Sequence, residues 1–332
     1  MNIWNTVGPR GKALCLILAL ALVATPLIAD RYLLSVLILV FYFAYLGQAW
    51  NVLMGFAGQL SLGHALYLGL GAYTATALWT QAGIGPWIGV FAAIPVAAAA
   101  GMLVGWLGWR FAIEGVYFAL LTIAFAEFTR IGFDHLQITG GSAGLFLSVS
   151  SPGADKWWNL GGGPLLYYYL ALIMAAAATL LVAYLRESPL GYRWLAVRED
   201  PEAARAVGIN IFRARMIAML ISASMTAVGG VFYGFRAGSL YPSQIFDMGH
   251  SIELILAPII GGLGTVFGPV VGAIILTPVG DGLTWLMEKL GINAPGAKLV
   301  LYGLVLMVII SLRPDGVWPW LARRFGLAGA RK

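Results

Sequence analysis

The sequence is poor in charged residues, cysteine and histidine. Only 10% of its 332 residues are charged, against roughly 25% in an ordinary soluble domain, whereas 60% are hydrophobic. With a single cysteine, Cys15, the chain forms no intramolecular disulfide and offers no cysteine chemistry. Its three histidines, His64, His135 and His250, lack the paired spacing of a metal site. We therefore expect no metal and no other cofactor.

The hydrophobic residues are gathered in long runs, too many for the core of one soluble domain. In a bilayer no water satisfies unpaired peptide groups, so membrane spans are helices or closed barrels. These runs are far longer than the roughly ten-residue alternating segments of barrels. The 43 glycines and 15 prolines fit helices packed closely in lipid. The sequence thus predicts an all-α, polytopic integral membrane protein with a single transmembrane domain over residues 1–332.

The runs predict about ten transmembrane or half-spanning helices. They are residues 13–29, 33–54, 60–80, 86–109, 115–131, 165–185, 216–235, 251–262, 266–287 and 297–312. Segment 251–262 is too short to cross ~30 Å of hydrocarbon at 1.5 Å per residue, so it predicts a half-helix or a broken span. Segment 13–29 begins like a signal peptide. We interpret it as a retained helix because its cleavage site is poor and another apolar run follows at once.

Basic residues mark one side of the membrane. Six arginines lie in the connector 186–215, and five more basic residues follow position 312. Positive charge near span ends favours the cytoplasm, which places the connector and both termini inside and the loop 134–164 outside. This placement explains the net charge of +6 better than nucleic-acid binding does.

The connector 186–215 contains the signals of a short helix. Asp200 suits an N-cap, Pro201 the first helical position and Glu202 the positive end of the helix dipole. Gly208 is placed to end the helix. We therefore predict a helix of about seven residues, with small side chains on one face. That face consists of Ala203, Ala206 and Val207. The alternative is a solvated loop that only maintains topology.

This helix also resembles a known motif. Glu202-Ala203-Ala204, followed after three residues by Gly208, is similar to the EAA loop of bacterial ABC importer permeases, whose short helix docks on the ATP-hydrolysing subunit. The resemblance implies that a set of six residues couples this chain to an ATPase. They are Asp200, Pro201, Glu202, Ala203, Ala204 and Gly208.

Four further stretches resemble the permeases of branched-chain amino acid ABC transporters in their LivM form. They are residues 51–73 (NVLMGFAGQLSLGHALYLGLGAY), 115–127 (GVYFALLTIAFAE), 139–145 (TGGSAGL) and 261–273 (GGLGTVFGPVVGA), in the order of that family. The resemblance implies a sister permease forming a hetero-dimeric pore, two ABC ATPase subunits, an external solute-binding protein and a bacterial inner membrane. It extends to urea and short-amide permeases, so the solute is less well defined than the family.

No nucleotide-binding loop is encoded. A phosphate-cradling loop requires G-x4-G-K-[S/T], and the only Gly-Lys pair, Gly11-Lys12, is followed by Ala13. ATP hydrolysis is therefore expected on a partner chain, and we expect this chain to be a transport subunit and no enzyme.

Polar residues within apolar runs are costly in lipid and tend to face a cavity or another helix. Two glycine-rich breaks are candidates for the translocation path, because broken helix ends present backbone groups to a zwitterion without buried charge. The first comprises Asn51, Gly55, Gly58, Gln59, Ser61, Gly63 and His64. The second comprises Gly261, Gly262 and Gly264. Thr139, Gly140 and Gly141 are predicted at the outer mouth, or else form a tight turn.

The few acidic residues within the runs allow two alternative classes of membrane protein to be weighed. Glu127 and Arg130 are three residues apart, which favours a structural pair over a proton relay, and Glu253 is suited to stabilising a broken helix end. An ion-coupled secondary transporter is the alternative class, although it usually requires ionisable residues near the midplane. A membrane-embedded enzyme would require a catalytic cluster that the sequence does not show.

Overall fold

The computed structural model describes residues 21–147, 156–291 and 296–324, which are mostly helical. The helices are Arg31–Asn51 (α1), His64–Ala82 (α2), Pro86–Arg110 (α3), Val116–His135 (α4), Pro164–Glu187 (α5), Pro189–Glu199 (α6), Pro201–Ala206 (α7), Ile211–Ala237 (α8), Pro242–Ile245 (α9), Met248–Gly261 (α10), Gly268–Lys289 (α11), Ala297–Leu312 (α12) and Val317–Arg324 (α13). Two strands of two residues, Leu145–Phe146 (β1) and Ser239–Leu240 (β2), pair antiparallel, with Leu145 opposite Leu240.

The helices confirm an all-α, polytopic membrane protein, whereas the number of about ten spans is not confirmed. Six helices of the described residues are long and apolar enough to cross a bilayer, or seven if the bent pair α12 and α13 is one span. Helix α2 occupies the predicted segment 60–80 but is not among them. Helix α10 has 14 residues and is short, as predicted for 251–262. Residues 13–20 of the predicted segment 13–29, with Cys15, lie outside the described residues.

The described residues form two compact units. The first consists of the described residues within Met1–Gln48, Pro164–Ser188 and Leu256–Lys332, and the second of those within Ala49–Gly163 and Pro189–Ile255. Helices α1 and α10 each contribute residues to both units. These two units do not test the prediction of a single permease domain over residues 1–332, which stays a prediction.

In the second unit, α2, α3 and α8 pack along one another, and glycine makes this possible. A Cβ atom at Gly230 would overlap the carbonyl oxygen of Leu68, and one at Gly71 would overlap that of Ala227. A Cβ at Gly101 would lie 2.9 Å from the Cβ of Ala223. Membrane helices associate largely through such close packing, because lipid gives them no hydrophobic drive to associate. Helix crossings therefore explain part of the glycine content of the sequence.

Glycine also allows close packing of helices in the first unit. A Cβ at Gly272 would overlap the backbone of Ala257, and one at Gly47 would lie 3.1 Å from the side chains of both Pro258 and Pro269. The start of α11 thus lies directly against the end of α10.

Candidate functional site

The predicted connector helix is present as α7. The Asp200 carboxylate accepts hydrogen bonds from the backbone N–H groups of Glu202 and Ala203, at 2.9 and 3.0 Å. Pro201 occupies the first turn, where its missing N–H is no loss. Gly208 has a φ of +86°, and the N–H of Ile209 reaches back to the carbonyl of Ala204 at 3.0 Å. The sequence therefore predicted both caps correctly, and the helix has six residues where we expected about seven.

One side of α7 is open. Ala204 is buried, whereas Glu202, Ala203 and Ala206 are exposed. Val207 is 77% exposed. The predicted small-residue face therefore lies at the surface of the chain, where another protein can reach it.

The connector is anchored by Trp194 on α6. This side chain is completely buried, and its indole N–H donates to the carbonyl of Ala214 on α8 at 2.8 Å. Helix α6 was not predicted, although Ser188 followed by Pro189 is a typical helix start. Helices α6 and α7 are joined by Asp200 alone, so the exposed helix projects from an anchored one.

Two further contacts hold the connector and were not predicted. The guanidinium of Arg198 donates to the backbone carbonyl of Gly55. The mostly buried Arg215, in the second turn of α8, forms an ion pair with Glu114. Both contacts join residues more than 100 positions apart (|i−j| = 143 and 101), so local patterns gave no signal for them.

The first glycine-rich break is a turn held by several hydrogen bonds. Helix α1 continues as a π-helical turn, Val52–Phe56, and the chain then leaves the helix through Gly58, whose φ is +69°. The carbonyl of Ser61 accepts the indole N–H of Trp50 at 2.8 Å. The Gln59 amide accepts from Trp109 at 3.0 Å and donates to the carbonyl of Ala57 at 3.2 Å.

His64 opens α2 directly after this break, and it is buried with two hydroxyl partners. Its Nδ1 lies 3.0 Å from the Ser61 hydroxyl, and its Nε2 lies 2.9 Å from the Ser222 hydroxyl on α8. Gly63, just before it, lies so close to α4 that a Cβ would overlap the carbonyl of Thr122. Asn51 is also completely buried. The polar residues predicted for the path thus have a structural role within the second unit, and their role in the path stays a prediction.

The second break, in the first unit, is similar in kind. Gly262 and Gly264 have φ values of +124° and +70°, and Gly261 lies against the backbone of Gly268. Gln48 of α1, which was not predicted as a site residue, is completely buried and donates to the carbonyl of Val266 at 2.5 Å. A glutamine inside the apolar run 33–54 was the available signal. The path role of these glycines likewise stays a prediction.

The segment predicted at the outer mouth is a succession of tight turns. Thr139 donates to the carbonyl of Leu136 at 2.9 Å, and Gly140 and Gly141 have φ values of +83° and +55°. These turns lead into β1, which lies against β2. The turn interpretation is therefore confirmed as geometry, whereas the role at the mouth stays a prediction. Residues 148–155 of the predicted loop lie outside the described part.

The acidic residues have partners on their own helices. Arg130 pairs with Glu127, as expected, and also with Asp134 at 2.9 Å, all on α4. Glu253 lies 3.7 Å from the Nδ1 of His250, both on α10. In the parts of the chain that the structure describes, no three His, Cys, Asp or Glu side chains are grouped as metal ligands.

Comparison with known proteins gives a consistent result. The family model described as "Branched-chain amino acid transport system / permease component" matches residues 32–310. The chain is 29% identical to the high-affinity branched-chain amino acid transport system permease protein LivM of Escherichia coli, over 93% of this chain and 75% of the relative. LivM of Salmonella typhimurium is 28% identical with the same coverage.

A second permease of such systems is also similar, over less of the chain. LivH of Escherichia coli is 28% identical over 41% of this chain and 42% of its own length. No solved structure matches significantly.

Proposed function

This chain belongs to the family of branched-chain amino acid transport system permease components, and on that premise we propose that it forms part of the pore of an ABC importer energised by separate ATPase subunits. The observation that carries the proposal is helix α7. A short, doubly capped helix, exposed on one face, lies in the longest charged connector of an otherwise apolar chain. Such a helix is suited to insertion into a groove on a partner protein.

ATP hydrolysis on a partner chain is the second part of the proposal. The lack of a phosphate-cradling G-x4-G-K-[S/T] loop in the sequence supports it. We propose that two ABC ATPase subunits bind in the cytoplasm, one of them on α7. In this arrangement the connector and both termini are cytoplasmic, and the loop between α4 and α5 faces an external solute-binding protein.

The proposed solute is a branched-chain amino acid. It rests on likeness to LivM over 93% of the chain. The partial likeness to LivH supports a pore built from two related but different permease chains, with a sister subunit beside this one. Alternating access would then open the pore to one side of the bacterial inner membrane at a time. A urea or short-amide solute is the alternative within the same transporter class.

Uptake by vesicles that contain the assembled complex tests the proposal. We expect radiolabelled leucine to accumulate when ATP is supplied to the cytoplasmic face, and collapse of the ion gradients to leave this accumulation intact. Accumulation that follows an ion gradient and ignores ATP would assign the chain to the secondary transporters instead. ATP-driven uptake of urea without leucine would retain the transporter class and reject the solute.

A further inference from the structure

Where the helix ends after Phe56, its last backbone carbonyl groups need hydrogen-bond donors from outside the regular helical pattern. The carbonyl of Leu53 accepts from the N–H of Gln59, and that of Met54 accepts from the N–H of Gly58, each at 3.1 Å. No backbone N–H reaches the carbonyl of Gly55 in the described part of the chain. Its partner is the guanidinium of Arg198, on the connector. A side chain of the connector therefore caps the C-terminal end of a helix in the membrane domain.

Arg198 contacts the break with its stem as well as its head. A Cβ at Gly58 would lie 3.1 Å from the Cγ and 3.3 Å from the Cα of Arg198. The backbone of α6 therefore passes directly over Gly58, and the positive φ there adds a second reason for glycine. A cation at a helix C-terminus also interacts favourably with the helix dipole. The contact is thus charged, close and specific to this pair of elements.

Arg198 lies close to α7 in the chain. Arg198 precedes the N-cap of α7 by two residues, and the N–H of Asp200 still bonds to the carbonyl of Ala196 at 3.1 Å. Asp200 itself is extended, with φ −152° and ψ 105°, so α7 begins at a bend two residues beyond Arg198. A displacement of α7 that is carried back through Asp200 would act on Arg198 and so on its hydrogen bond to the carbonyl of Gly55.

We propose that Arg198 is the positioning residue that transmits movement of α7 to the glycine break at residues 52–63. This inference rests on the proposed function, in which an ATPase moves α7 and the break lies on the solute path. Arg198 touches neither ATP nor solute in this scheme. Its role is to make the geometry of the break depend on the position of the connector.

The test measures leucine transported per ATP hydrolysed in liposomes that contain the assembled complex. For Arg198→Ala we expect normal assembly and continued ATP hydrolysis, with this ratio lowered about tenfold, the factor that one charge-assisted hydrogen bond contributes to an equilibrium. Arg198→Lys retains the charge on a stem one atom shorter, and it should recover part of the ratio. Arg193→Ala, an exposed arginine on the same helix, is the matched control and should retain the wild-type ratio.

Hydrogen exchange provides a readout that a merely structural role would not change. In the wild type, ATP with vanadate should alter exchange at both α7 and the amides of Gly58 and Gln59. In Arg198→Ala the change at α7 should persist and the change at the break should disappear. Gly58→Ala, which disturbs the same contact from the other side, should behave alike.

The failure of each claim is distinguishable. If ATP with vanadate changes exchange at neither α7 nor the break in the wild type, the proposed function fails; if wild-type liposomes only fail to take up leucine, the proposed solute is wrong and the exchange experiment still tests Arg198. If the wild type responds at both places, and Arg198→Ala retains both the transport ratio and the nucleotide response at the break, the inference about Arg198 is wrong. Loss of the assembled complex in Arg198→Ala, Arg198→Lys and Gly58→Ala together would show that the contact serves folding, and would likewise overturn the inference.

Discussion

Replacing Asp200 with alanine removes the cap from the helix that we assign to the ATPase contact. Both hydrogen bonds to the Asp200 carboxylate, at 2.9 and 3.0 Å, disappear, and two N–H groups at the start of α7 lose their partner. Loss of an N-cap costs about 1 kcal/mol, and the carboxylate at the positive end of the helix contributes roughly another 0.5 kcal/mol. The total of about 1.5 kcal/mol corresponds to about a tenfold shift between formed and frayed helix.

This shift should appear in the affinity for the ATPase. With six residues, α7 is too short to be stable on its own, so its population depends on its caps. A partner that binds only the formed helix loses apparent affinity in proportion to that population, which makes about tenfold the upper bound. The assay is a titration of the ATPase subunit against the permease complex in nanodiscs, with uptake of leucine measured in parallel.

Two control variants define the result. Asp200→Asn retains an acceptor oxygen and should remain within about threefold of the wild type, because only the charge is lost. Asn210→Ala removes the cap of α8, where the side chain accepts from the N–H of Arg213 at 2.9 Å, and should leave ATPase affinity unchanged. Wild-type affinity in Asp200→Ala, or an equal loss in Asn210→Ala, would refute the reasoning.

Two further predictions concern the packing and the path. Gly230→Ala places a Cβ against the carbonyl of Leu68 and should destabilise the protein by about 1–3 kcal/mol, seen as a lower Tm in detergent; Gly132→Ala, with nothing within 4 Å, should not. An equal Tm for the two variants would contradict the crossing. Gln59→Leu should lower leucine uptake more than it lowers ATPase assembly, and unchanged uptake at a normal protein level would remove this break from the path.

The helix α7 could be predicted because its signals are local. Asp200, Pro201 and Gly208 determine where the chain enters and leaves the helix, and these effects act over one turn. The apolar runs predicted most spans for the same reason. Helix α8 was expected at 216–235 and instead begins at Ile211, since the run was taken to start after the arginines, whereas the cap is Asn210.

The contacts that organise the site could not be predicted, because they join residues distant in sequence. The partners of Arg198 and Arg215 lie 143 and 101 residues away, and Ser222, the partner of the His64 Nε2, lies 158 residues away. The sequence showed that Gln59 and His64 are polar residues in an apolar setting, without showing what satisfies them. The pairing of β1 with β2 is equally non-local, and an all-helical prediction omits it.

The central claim is that this chain moves solute only with energy delivered by a partner through α7. The most direct measurement compares leucine accumulation in liposomes that contain the purified chain alone with accumulation in liposomes that contain the assembled complex, both supplied with ATP. We expect accumulation against the gradient with the complex and none with the chain alone. Uphill accumulation by the chain alone would contradict the account.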